Sequence, residues 1–229
     1  MPSSYSEETY PGGMDQPMRR DARRNIERLT AAAGQVFRER GLDAPLEEIA
    51  KAAGVSAGTL YNRFGGREAL IDAVMPDVVE ARVRAALADA EAEADPWTGF
   101  AGYVTALCEL QASDLAMGDA MGRRYADAKR LTEICEAQMD GVRGLIERAR
   151  AAGRLRADFT AEDLPYLLWS AATVIRATAA VAPESWRRSL AFALDGLRPE
   201  AAHPLPAEPM TPAQVHTVML ALGESRARK

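Results

Sequence analysis

The sequence predicts an all-α protein in two parts, a small N-terminal helix-turn-helix unit and a larger C-terminal helical body. Three observations carry this. From Arg19 to about Leu197 the chain is rich in Ala, Leu, Arg and Glu with 3.6-residue periodicity, and no stretch alternates with the two-residue period of a strand. Helix-ending residues punctuate that text at Gly41, Gly54, Gly65-Gly66, Asp95-Pro96, Gly118, Gly153 and Pro183. Finally, Pro45 to Phe64 (PLEEIAKAAGVSAGTLYNRF) has the pattern of two short helices around a tight turn.

Composition bounds the alternatives. A chain of 229 residues, 48% hydrophobic and 27% charged, can build a core without staples, which excludes a disulfide mini-protein. No run approaches the roughly 18 apolar residues of a membrane span, so a soluble protein is expected. Cys108 and Cys135 have neither CxxC nor metal-ligand spacing and suit free thiols in a reducing compartment, the cytoplasm. His203 and His216 stand away from any carboxylate or cysteine pattern, and no nucleophile elbow, P-loop, GxGxxG or HExxH occurs. No enzyme, cofactor or metal site is expected.

The elements follow in order. Residues 1–18, rich in Ser, Gly, Pro and acid, are expected to form a disordered lead, with no apolar core of a signal peptide. In the first helix Ile26, Leu29, Ala33, Val36 and Phe37 share one side, while Arg20, Arg24, Arg28 and Arg38 gather within roughly 80° on the other. A solvated amphipathic helix carries such a stripe as readily as a phosphate-binding one. Pro45 suits a helix start, where its missing N–H costs nothing, and Glu47 and Glu48 complement the positive end of the dipole. Gly54 supplies the left-handed turn, Val55 plugs the corner, Ser56 caps the next helix, and Leu60 and Phe64 bury its inner side.

The outer side of that second helix then presents Ala57, Gly58, Thr59, Tyr61, Asn62 and Arg63. Asn pairs bidentately with adenine, Arg with guanine, Thr meets a thymine methyl and Tyr donates to phosphate. Small residues at the tip let the backbone approach a groove. Arg67, opening the helix after Gly65-Gly66, suits a phosphate clamp. An αα-hairpin with glycine corners in an ordinary helical protein has the same spacing.

The run GLDAPLEEIAKAAGVSAGTLYNRFGGREALIDAV, and within it VSxGTLYxxF followed by Arg67-Glu68 and Leu70, resembles the DNA-binding region of the TetR (tetracycline-repressor-like) family of bacterial transcriptional regulators. The likeness covers residues 20–75 or so. It implies sequence-specific binding to double-stranded DNA at a palindromic operator by a homodimer, and release by a small-molecule effector. Carried over by position, the base and phosphate contacts fall on Ala57, Gly58, Thr59, Tyr61, Asn62, Arg63 and Arg67, with Ser56 as the cap. Many members place Thr hydroxyls at the start of the preceding helix; this chain has Ala44-Pro45, so that phosphate contact must be lost or taken over by the Leu46 and Glu47 amides or by the arginine stripe with Arg20 and Arg24. The competing function is a protein-binding adaptor that keeps the fold without reading DNA.

The rest, residues 76–197, is expected to be the effector-binding and dimerisation body, with 19–75 as the DNA-binding domain. Pro76 kinks or splits the helix that begins at Arg67. Helices are expected from Pro96 to about Leu115, 131–152, 161–181 and 184–197, with a polar segment over 118–125. By resemblance the last two pack against a second copy. Candidate effector-cavity residues are Trp97, Phe100, Tyr103, Cys108, Met117, Met121, Met139, Tyr166, Trp169 and Arg176. For each Met and aromatic, plain core packing is the simpler role. Arg176, between Val174-Ile175 and Ala177, needs a partner, either an acid across the dimer interface or an anionic effector group. Residues 198–229 are expected to be Pro-rich linker and tail with a short helix near 213–222.

The net charge of −5 at first speaks against a nucleic-acid partner, but it is an average. Residues 19–70 hold ten Lys and Arg against seven Asp and Glu, and the surplus acid lies in the lead and the body. A cationic head joined to an acidic body should meet a duplex with the head alone.

Overall fold

A computed structural model describes the backbone of residues 15–227 and the side chains of 23–224. Among the described residues it consists of helices and two short 3-10 turns, with no strand. The first helix, α1, spans Asp15–Arg40. It therefore takes in residues 15–18, which were expected in the disordered lead. Asp15 at the positive helix end and Pro17 in the first turn suit a helix start, which explains the correction. The expectation for residues 1–14 lies outside the described residues.

The head comprises α1, α2 (Leu46–Ala52), α3 (Ala57–Phe64) and α4 (Arg67–Val74). Leu29, Ala33 and Phe37 of α1 close over Leu42, Ile49, Leu60, Leu70 and Ile71 in one buried core. Left-handed glycines make the corners, with φ of +81° at Gly41 and +67° at Gly54. Pro76 splits the next segment, since α4 stops at Val74 and Pro76 opens α5 (Pro76–Ala92).

Within the body, α6 (Pro96–Ser113) starts on an Asp95 cap whose carboxylate accepts from the Thr98 amide at 2.8 Å. That amide, with the Thr98 hydroxyl, holds the Asp95 carboxyl below the usual carboxylate range. The segment 118–125, expected to be polar connection, is instead mostly a buried helix, α7 (Leu115–Gly122). Asp114 caps it by accepting from the amides of Ala116 and Met117, and its small residues let it run between α1, α6 and α10. The helix expected over 131–152 is broken at Gln138 into α8 (Lys129–Ala137) and α9 (Met139–Ala151). A capping box between Thr160 and Asp163 leads through a 3-10 turn into α10 (Leu164–Thr178), which packs on α6, α7 and α11 (Ser185–Asp195).

The tail is not a loose linker. Arg156 holds its start: the Arg156 amide donates to the Leu197 carbonyl at 2.9 Å, and its guanidinium to the His203 carbonyl at 2.7 Å and to Asp158 at 2.6 Å. Arg198 stacks 3.8 Å over the Trp97 ring. The last helix, α12 (Pro212–Ala227), is longer than the expected 213–222 and returns to the body. Met219 is buried there, and its carbonyl accepts from the Arg124 amide at 3.0 Å.

Candidate nucleic-acid interface and effector cavity

The recognition helix α3 is fixed from inside and open outside. Ser56 Oγ accepts from the Thr59 amide at 3.1 Å and lies 2.9 Å from the Thr59 hydroxyl, so cap and first turn are tied together. Leu60 is fully buried and Phe64 half-buried against the head core. Ala57, Gly58, Thr59, Tyr61, Asn62 and Arg63 are all exposed, and Tyr61, 59% exposed, is a large ring held out in water. A ring displayed beside an amide and a guanidinium suits contact with another molecule. Arg63 and Arg24 make no ion pair among the described residues and are exposed. The Arg20 side chain lies outside the described residues.

Two basic residues are placed differently from the expectation. Arg67 is turned inward: its Nη1 donates to the Leu42 carbonyl at 3.0 Å and also to the Ala44 carbonyl. A guanidinium with five donors is being spent on the turn between α1 and α2, which is the geometry of a brace rather than of a side chain held toward phosphate. Arg38, counted with the arginine stripe, points toward the body, 3.8 Å from Asp114.

Where the head meets the body lies a buried charge cluster centred on Asp119 of α7. Asp119 is 2% exposed; its Oδ2 accepts from the Leu42 amide at 2.8 Å, and its Oδ1 pairs with Arg123 at 2.7 Å and with Arg176. Arg123 reaches further, to Asp43 at 2.7 Å. Burial pushes the Asp119 carboxyl up, while Arg123, Arg176 and the Leu42 amide pull it down. Arg176 therefore has its acid within its own chain, which corrects both partners expected for it. Gly41 is part of this junction, since a Cβ there would stand 2.6 Å from Asp119 Oδ2.

A cavity of about 440 Å³ opens in the body between α5, α6, α8, α9 and α10. Of the expected lining residues, Tyr103, Met121 and Met139 border it. The others do not. Trp97 and Phe100 form an aromatic cluster with Phe159, Met117 and Cys108 are wholly buried in the core, and Tyr166 faces outward. The Trp169 indole donates to the Gly122 carbonyl at 2.8 Å, and Arg176 is engaged with Asp119. Walls that sequence reasoning missed come from Val79 and Val83 of α5 and from Val215, His216 and Met219 of α12. The Val79–Val83 pair has the i, i+4 spacing of any buried stripe, and the tail residues carry no signal of their own.

The two thiols lie in apolar surroundings. Burial raises the Cys108 pKa to about 12 and pushes Cys135, at the cavity wall, up as well. Among the described residues no group of three or more His, Cys, Asp and Glu could hold a metal ion, and no helix is long and apolar enough to cross a membrane.

Residues 29–74 match the family model described as bacterial regulatory proteins, tetR family, and residues 95–199 match the C-terminal domain of SbtR-like transcriptional regulators. A comparison with curated protein sequences finds no match. Among solved structures, a TetR transcriptional regulator from Streptomyces coelicolor is 31% identical over 76% of this chain and 98% of its own, with a TM-score of 0.44. RolR, solved with resorcinol, is 24% identical, over 82% of this chain and 98% of its own, with a TM-score of 0.53. FadR from Bacillus subtilis, solved with stearoyl-CoA, is 16% identical, over 78% of this chain and all of its own, with a TM-score of 0.55. With its head and its body each matched by a model of this family, together over well more than half of its length, the chain belongs to the TetR family of bacterial transcriptional regulators, DNA-binding proteins that are not enzymes.

Proposed function

We propose that this regulator is a ligand-responsive repressor. Two copies joined through α10 and α11 present their α3 helices to successive major grooves of a palindromic operator, and a small molecule in the body cavity releases them. The observation that carries the proposal is the Asp119 cluster. The short helix α7 bears Asp119, which holds the Gly41–Asp43 turn of the head, and just beyond it Met121 and Arg124 border the cavity. A ligand that displaces α7 therefore acts on the turn that orients α2 and α3.

In this mechanism Asn62 and Arg63 read base edges, Tyr61 and Arg24, with Arg20, touch phosphates, and Ala57, Gly58 and Thr59 allow close approach. Dimerisation is supported by apolar side chains left in water on the last two body helices and the turn between them: Tyr166, Val181 and Phe192. Two proteins of similar fold were solved with organic ligands, resorcinol and stearoyl-CoA, which supports a ligand role for the cavity.

Fluorescence anisotropy with DNA from upstream of its own gene, across a salt series, tests the reading. Tight binding to one palindromic segment, with a steep negative dependence of log K on log salt, is expected. No binding to any upstream segment at any salt would refute it and favour the adaptor.

A further inference from the structure

We propose that the cavity takes an uncharged, largely apolar small molecule bearing one hydrogen-bonding oxygen, and that α12 is the wall this ligand lifts to enter and reseats to stay. The proposal rests on the effector-binding reading above and adds the ligand's class and its gate.

The class follows from the walls. Val79, Val83, Leu107, Leu164 and Leu168 are buried side chains that border the cavity. A charged group placed against them would lose its hydration with nothing in return. Among the buried lining residues one carries a hydroxyl. Tyr103 is 3% exposed and borders the cavity; burial also disfavours its ionisation. A phenol at an otherwise apolar wall is a ready donor for a carbonyl, ether or hydroxyl oxygen. The charged groups at the rim are offset or engaged. Arg143 pairs with Asp140 at 2.9 Å and Arg124 Nη1 donates to the Arg123 carbonyl at 2.9 Å, while Glu136, Gln138, Glu162 and His216 complete a polar rim that carries both signs of charge.

The gate follows from the tail. Pro212, Val215, His216 and Met219 of α12 border the cavity, yet the family's C-terminal domain matches only as far as residue 199. This wall thus lies beyond the residues that the family model matches. Of the described α12 side chains only Met219 and Gly223 are buried, and the helix hangs on a Pro-rich strap (204–212, PLPAEPMTP) held at its root by Arg156 on the His203 carbonyl. Such a strap is semi-rigid, so the helix moves as a unit about that anchor. Its seat is tight at one point: a Cβ on Gly223 would collide with the Arg124 carbonyl oxygen, which is backbone and cannot give way.

Prodan, a neutral naphthyl ketone whose emission shifts blue in apolar surroundings, tests the proposal on the full chain. The anionic probe toluidinonaphthalene sulfonate serves as the charged counterpart. One prodan per chain is expected, at least tenfold tighter than the anion, and Tyr103→Phe weakens it roughly three- to tenfold, the loss of one neutral hydrogen bond. Gly223→Ala and Met219→Asp, which unseat α12 by two routes, should each speed stopped-flow association and dissociation of prodan about tenfold or more. Preference for the anion, or an unchanged affinity in Tyr103→Phe, overturns the ligand class. Unchanged rates in both α12 variants overturn the gate. The two proposals also fail separately: prodan that binds as expected but leaves DNA bound refutes the repressor reading alone, whereas an effector that releases DNA without competing with prodan refutes this one.

Discussion

Replacing Arg176 by Met removes one of the two cations facing Asp119 and leaves the rest of the junction in place. The carboxylate, 2% exposed, keeps Arg123 at 2.7 Å and the Leu42 amide at 2.8 Å, so it is weakened rather than orphaned. Stripping a buried ion pair of one partner costs about 3–5 kcal/mol when nothing else answers the remaining charge. Here the remaining partners reduce that to the worth of one charge-assisted hydrogen bond, about 2 kcal/mol at neutral pH. The pH dependence has a definite sign. Burial already pushes Asp119 up, and losing a cation pushes it further, so the folded variant holds its proton more tightly than the unfolded chain does. The variant's deficit is therefore absent in acid, where Asp119 is protonated in both states. It grows as pH rises above the ordinary carboxylate range. Urea unfolding of wild type and Arg176→Met at pH 4 and pH 7.5 measures both terms. A deficit below about 0.5 kcal/mol at pH 7.5 would show that Arg176 is screened by solvent at its 30% exposure. A deficit of the same size at both pH values would show lost packing, and either result would refute the electrostatic account.

Gly41→Ala and Gly65→Ala share a left-handed backbone, with φ of +81° and +83°, but only at Gly41 does the added Cβ meet Asp119; denaturant melts should give about 1 kcal/mol for Gly65→Ala and clearly more for Gly41→Ala. In DNA titrations Arg24→Ala should reduce the salt slope by about 1 and weaken all sequences alike, while Asn62→Ala leaves the slope and relaxes preference at particular bases by about 1–3 kcal/mol. Arg67→Ala should leave the slope unchanged and lower stability by about 2 kcal/mol, because its guanidinium serves the Leu42 and Ala44 carbonyls. Phe192, 64% exposed on α11, should be needed for self-association, so Phe192→Asp should elute as a monomer by light scattering with an unchanged helical spectrum.

The head was legible because its determinants are local. A Ser cap, a glycine corner and Leu60 four residues before Phe64 fix α3 within a dozen residues, and the outward set follows from helical phase. The inward bonds of Arg67 were not legible because its acceptors lie 25 and 23 residues earlier, in a turn whose carbonyl directions no periodicity reveals. The same limit hid α7. GDAMGRRY looks like solvated text, yet Asp119 and Arg176 are 57 residues apart in sequence and neutralise each other only once α7 and α10 pack. That Arg176 required an acid was legible from its apolar neighbours; which acid was not. Tyr103, Met121 and Met139 were separable from Trp97, Phe100 and Met117 only by the cavity itself, since an aromatic or Met has the same sequence signature in a core as at a wall.

The proposed coupling also has to be large enough. Moving a two-state regulator from almost wholly DNA-competent to almost wholly released takes a difference in ligand affinity between the states of about 5.5 kcal/mol. At about 25 cal/mol per Å² of apolar surface, that is roughly 220 Å² buried in one state and not in the other. The apolar walls of a cavity of about 440 Å³ and the apolar surface of the ligand itself together supply that area, provided the walls differ between the states. A helix of eight residues is about 12 Å long, too short to bend between its two tasks. Met121 and Asp119 thus move as one body. Any displacement that improves the fit at Met121 is imposed on the Leu42 amide and on the turn that Arg67 braces. Substitutions that soften this link, Arg176→Met among them, should therefore raise the effector concentration needed for release while leaving prodan affinity in the DNA-free protein nearly unchanged.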